Sequence, residues 1–132
     1  MASKQTLHIL LVENESFVME VTTLVLERLG YIVHGETNGL EALSTFSDNP
    51  DTFDLAIIEP LMPRMGGLEF AIRLRRIRND LPVLFYAGYL DPSLEQEISK
   101  SGVGQTIFKP LYSRELSEAI QERLSLASPH IC

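Results

Sequence analysis

Five short apolar runs rich in Ile, Val, Leu and aromatic residues recur at positions 7–12, 31–36, 53–58, 82–87 and 105–108. Each is followed by a longer stretch with helical spacing. This alternation is the strongest constraint on the fold. Strands alternating with helices imply βαβ units, hence a parallel sheet with right-handed crossovers that cover both of its faces. The first run, Leu7-His-Ile-Leu-Leu-Val12, is almost continuously apolar, as expected of a central parallel strand buried on both sides. Five such units predict a doubly wound α/β three-layer sandwich, occupying residues 1–132 as one domain with its core over about 6–127 and a frayed tail at 128–132.

The intervening stretches carry their own punctuation. The first helix is expected after Asn14 as N-cap, with Phe17, Val18, Val21, Leu24, Val25 and Leu29 as its apolar stripe and Gly30 as its stop. Asn38 precedes Glu41 by three residues, a capping-box-like start for the second. The third follows Gly66-Gly67. The fourth has Asp91 as cap, Pro92 at its first position and Gly102 at its end, and the fifth starts at Ser113.

Composition narrows the classes. Apolar residues make up 45% and charged residues 22%, the balance of a globular domain. No run reaches the roughly 20 apolar residues of a membrane span, and residues 1–6 do not read as a signal peptide. The formal net charge of −7 disfavours nucleic acid and anionic lipid as partners. Cys132 is the single cysteine, which excludes intrachain disulfides and suits a reducing cytoplasm. His8, His34 and His130 show no ligand spacing.

In open α/β sheets ligands gather beyond the carboxyl ends of the strands. Those ends are Glu13-Asn14-Glu15, Glu59-Pro60-Leu61-Met62-Pro63, Ala87-Gly88 and Lys109-Pro110. Acids gathered at strand ends suit a hard divalent cation or a charge-paired lysine. They would repel a phosphate group, and no glycine-rich phosphate loop occurs anywhere, which argues against a flavin or nucleotide site. No nucleophile–base pair is present, so the chain is not expected to be an enzyme.

At these positions the chain resembles a response-regulator receiver domain, the chemotaxis-regulator type of two-component signalling, over essentially its whole length. The resemblance rests on Ile9-Leu-Leu-Val-Glu-Asn-Glu15, Asn38-Gly-Leu-Glu-Ala-Leu43, residues 54–68 (DLAIIEPLMPRMGGL), Pro82-Val-Leu-Phe-Tyr-Ala-Gly88 and Phe108-Lys-Pro-Leu111. It implies a flavodoxin-like five-stranded parallel sheet in the order 2-1-3-4-5. It also implies a bacterial-type pathway and a histidine kinase or other signalling protein as partner. A homodimer is the further option, through the surface of the fourth helix, fifth strand and fifth helix.

Carried over residue by residue, the family's metal-binding acid pair falls on Glu13 and Asn14 and its phosphoacceptor on Glu59. Its phosphoryl-gripping hydroxyl falls on Ala87, its switch aromatic on Thr106 and its lysine on Lys109. Only the lysine matches. Glu59 carries an extra methylene, and phosphoryl transfer is sensitive to misplacement on the order of 1 Å. Asn14 removes a charge from the metal site, so Mg²⁺ would bind weakly, through Glu13, Glu59 and the Leu61 carbonyl. Ala87 has no hydroxyl and Thr106 no ring. These departures predict a pseudo-receiver that acts without phosphorylation or a required cofactor. The alternative is a still-active Mg²⁺-dependent regulator. A cis peptide before Pro110, as in the family, is compatible with the sequence.

Two surface features complete the reading. Arg73, Arg75, Arg76 and Arg78, with Arg64 nearby, are expected to be a solvated helix end rather than a nucleic-acid contact. Tyr89 and Tyr112 are the interface candidates, while Tyr86 is equally suited to the core.

Overall fold

A computed structural model describes residues 6–127. In chain order the elements are β1 (His8–Val12), α1 (Ser16–Arg28), β2 (Ile32–Glu36), α2 (Gly39–Asp48), β3 (Leu55–Ile58), α3 (Gly67–Ile77), β4 (Val83–Ala87), α4 (Pro92–Ser101), β5 (Gln105–Phe108) and α5 (Ser113–Ala127), with one 3₁₀ turn at Pro50–Thr52. The strands form one parallel sheet in the order β2-β1-β3-β4-β5, as expected. The tail at 128–132, with His130 and Cys132, lies outside the described residues.

Alternation along the central strands divides the core in two. Leu10, Val12, Ala56, Ile58, Val83 and Phe85 face the layer of α2, α3 and α4, where Phe46, Phe70 and Ile98 meet them. Ile9, Leu11, Leu55, Ile57 and Leu84 face α1 and α5, against Leu26, Leu116 and Ile120. β3 and β4 are buried along their whole length, because both faces and both edges are covered.

Caps fall largely where residue chemistry puts them. The Asn38 side chain accepts the Glu41 N–H as N-cap, and its amide donates to the Glu41 carboxylate, a side-chain pair in place of the full capping box. Asp91 accepts from the Ser93 N–H at the start of α4, and Gly102 ends that helix with φ of 69°, where a side chain would be strained.

The start of α1 differs from expectation. Glu15, not Asn14, is the N-cap, and it makes no side-chain cap. The Glu13 carboxylate takes the Glu15 N–H instead, leaving Asn14 exposed. The apolar stripe is also displaced. Thr22 and Leu26 are the buried residues of α1, whereas Phe17 is 76% and Leu24 56% exposed. Thr22 takes the inner position because α1 carries apolar residues on most of its circumference, so periodicity alone cannot say which arc turns inward.

The arginines at the end of α3 are tied mostly to the protein itself. Arg75 donates to the Asn79 and Val103 carbonyls, and Arg78 to the Pro50 and Phe53 carbonyls and to Asp80. Arg73 pairs with Glu69. Two of the histidines meet in space. His8 and His34 lie on neighbouring strands with His8 Nδ1 2.9 Å from His34 Nε2, and Phe53 stands edge-on to His34.

Candidate functional site

Three strand ends build the site. The backbone N–H of Glu13 donates to Glu36 O at 3.1 Å, that of Glu59 to Val12 O at 2.9 Å and that of Lys109 to Ala87 O at 2.7 Å. Each functional residue is therefore the first one past a strand, still held by the sheet's own hydrogen bonding. Lys109 precedes Pro110 through a cis peptide. The approach of α3 to the Glu59 loop requires glycine at 67. A Cβ there would overlap the Glu59 carbonyl oxygen and come within 2.6 Å of the Pro60 Cα.

At the centre stands the Lys109 ammonium. It donates to Glu13 Oε1 at 2.5 Å and to Glu59 Oε1 at 2.7 Å. The second oxygen of each carboxylate is also engaged. Glu13 Oε2 accepts the Glu15 N–H at 3.1 Å, and Glu59 Oε2 accepts the Leu61 N–H at 2.9 Å. Glu13 and Glu59 are 2% and 8% exposed. Such burial is tolerable for two carboxylates only because both are paired and hydrogen-bonded. For the Lys109 ammonium, burial is the largest single influence and pulls its pKa down. The combined hydrogen bonds and charges of Glu13 and Glu59 outweigh it, so the group stays protonated above the ordinary lysine range.

Tyr86 completes the setting. Lys109 Nζ lies 5.5 Å from its ring centroid, a cation–π contact, and its hydroxyl accepts the Leu111 N–H at 3.1 Å. Both contacts follow from Tyr86 standing next to last in β4 on the α1/α5 side, a role that the sequence reading left open.

The other expected positions separate. Ala87 is fully buried and brings no polar atom. Thr106 lies opposite Phe85 in the β4–β5 register and lines a small cavity with Glu95 and Ile98. Asn14 makes none of the site's bonds. Tyr89 and Tyr112 are 70% and 74% exposed.

The donor set holds the Lys109 ammonium. Two carboxylates and one lysine leave a net charge of −1, and the lysine already bridges the oxygens a hard cation would need. Mg²⁺ demands octahedral oxygen coordination and gains most from a higher ligand charge. Among the described residues no group of three or more His, Cys, Asp or Glu could hold a metal ion.

Comparison with known proteins agrees with this architecture. Residues 9–121 match the response regulator receiver domain family. The chain is 29% identical over 119 residues to the response regulator receiver protein CpdR of Brucella abortus, covering 90% of this chain and 98% of that protein. It is 31% identical to the response regulator RppA of Synechocystis, covering 95% of this chain but 55% of that protein. With the sensor kinase CckA of Brucella abortus the match spans 12% of the kinase. Among solved structures, the chemotaxis protein CheY4 of Vibrio cholerae superposes with a TM-score of 0.80 at 25% identity, over 89% of this chain and 98% of that one. No described helix is long and apolar enough to cross a membrane.

Proposed function

Because the chain belongs to the response regulator receiver domain family, we propose that it is an atypical receiver whose state is set by the Glu13–Lys109–Glu59 clamp and not by phosphorylation. In this reading it is a non-enzymatic protein-interaction module of two-component signalling in the cytoplasm, needing no metal and binding neither nucleic acid nor membrane. The observation that carries it is the clamp. Glu59 stands where the family's phosphoacceptor aspartate would be, and its longer side chain brings a carboxylate oxygen to 2.7 Å from Lys109. The lysine that would neutralise an incoming phosphoryl group is thereby already neutralised. Ala87 offers no hydroxyl to grip such a group, and Thr106 no ring to report it.

The output surface is proposed to be the face of α4, β5 and α5, docking a histidine kinase or another signalling protein. Tyr89, Tyr112 and Phe108 are exposed there, and large exposed aromatics at an interface are strong anchors. Loss of partner capture in Tyr89→Ala or Tyr112→Ala is the expected result, and unchanged capture in both removes this face.

The test of the clamp is titration with Mg²⁺, with and without beryllofluoride, read by backbone amide NMR. Shifts at Glu59, Ala87 and residues 106–112 are expected to stay still at millimolar ligand. Saturable movement there would instead establish a live phosphorylation circuit.

A further inference from the structure

One exposed surface is left unused by this reading. Phe17, Val21, Leu24 and Arg28 follow the i, i+4, i+7, i+11 spacing, so they form one stripe along the outer side of α1. All four are exposed, Phe17 the most of the three apolar ones. Along the stripe lies a mostly apolar cavity of 210 Å³ between α1 and the start of α5, lined by Phe17 and Val21 of the stripe, by Val18, Val25 and Leu116, and by the Lys109 side of the site. It is smaller than the roughly 300 Å³ at which small-molecule pockets begin. Its size and lining suit a single bulky apolar side chain.

We propose that this surface pairs with a second copy of the same chain, α1 packing antiparallel against α1 about a two-fold axis near Val21. The chain's own chemistry is self-complementary in that arrangement. Counting outward from Val21, Phe17 of one copy meets Val25 of the other, at the wall of the cavity, and Leu24 meets Val18. Arg28 then falls at the Asn14–Glu15 end of the partner helix. Within the described residues Arg28 and Glu15 belong to no ion pair, so each brings an unused charge to the other. Antiparallel helices also place the negative end of one dipole beside the positive end of its neighbour. Because the contact is isologous, each interaction is made twice and the assembly closes at two chains. The pair covers the α1 side of the Lys109 pocket and leaves the α4–β5–α5 face open.

The test is sedimentation equilibrium of the full chain at concentrations up to about 1 mM. A two-chain species is expected, weakened about tenfold or more by Phe17→Ala and by Arg28→Glu. Combining Arg28→Glu with Glu15→Arg is expected to restore it. All of these positions are exposed, and circular dichroism checks that the fold is kept. In a Cys132→Ser background, Val21→Cys is expected to give a disulfide-linked pair, whereas Leu40→Cys, more exposed on α2, gives none. A chain that remains monomeric at 1 mM overturns the proposal. So does a dimer that ignores the α1 substitutions but is lost in Tyr89→Ala, which would place the contact on the α4 face.

Discussion

Replacing Lys109 by methionine removes the one positive charge between two buried carboxylates while keeping much of the side-chain volume. Glu13 and Glu59 then face one pocket with no counter-charge, and water reaches neither freely, since both are under a tenth exposed. Removing one partner of a buried ion pair costs about 3–5 kcal/mol. At about 3–5 °C per kcal/mol for a chain of this size, the melting temperature should fall by roughly 10–20 °C. Urea unfolding at neutral pH, with the transition slope compared between variants, measures the loss directly. The triple change Lys109→Met, Glu13→Gln and Glu59→Gln separates charge from packing. It should recover most of the stability, because an uncharged set has no unpaired ion to bury. A Lys109→Met protein within about 1 kcal/mol of the parent would refute the clamp as the organiser of the site.

Three further outcomes follow from other parts of the structure. The Lys109 ammonium is held protonated above its ordinary range, so its stabilising contribution is complete below about pH 10.4 and is lost as pH rises through the elevated value. Urea midpoints between pH 8 and 11 should show an alkaline decline that Lys109→Met lacks. His34 titrates below its ordinary range, first because it is buried and then because His8 is beside it, with Glu36 opposing. Its contribution is therefore complete above about pH 6.5 and lost as pH falls through the lowered value, and His34→Gln should flatten that acid decline. Asn38→Ala removes the N-cap of α2 and should cost about 0.5–2 kcal/mol in the same assay.

The fold was legible because its elements obey local rules. Continuous apolar runs mark strands buried on both faces, and caps such as Asn38, Asp91 and Gly102 obey backbone chemistry that the residue type itself dictates. What periodicity could not supply was the rotation of α1. With Phe17, Val18, Val21, Thr22, Val25 and Leu26 spread around the helix, several arcs are apolar enough to face the sheet. The choice falls to packing against the neighbouring strands β1 and β2 and against α5, which is distant in sequence. The His8–His34 pair was hidden for a similar reason, since residues 26 positions apart meet only once β1 and β2 are in register.

The site divides along the same line. Which residues stand at the strand ends follows from where apolar runs stop, so Glu13, Glu59 and Lys109 could be placed together from the sequence. How they share charge could not, because it depends on side-chain reach. Glu59 Oε1 lies 2.7 Å from the ammonium while its other oxygen turns back to the Leu61 N–H. Glu13 is held the same way by Lys109 and the Glu15 N–H. Each carboxylate is thus fixed by one long-range and one local bond, leaving Asn14, one residue along, in solvent. In the proposed reading, a phosphoryl group or divalent ion entering this pocket competes with the lysine for the two acids. Those same two bonds are what make the burial of each acid tolerable.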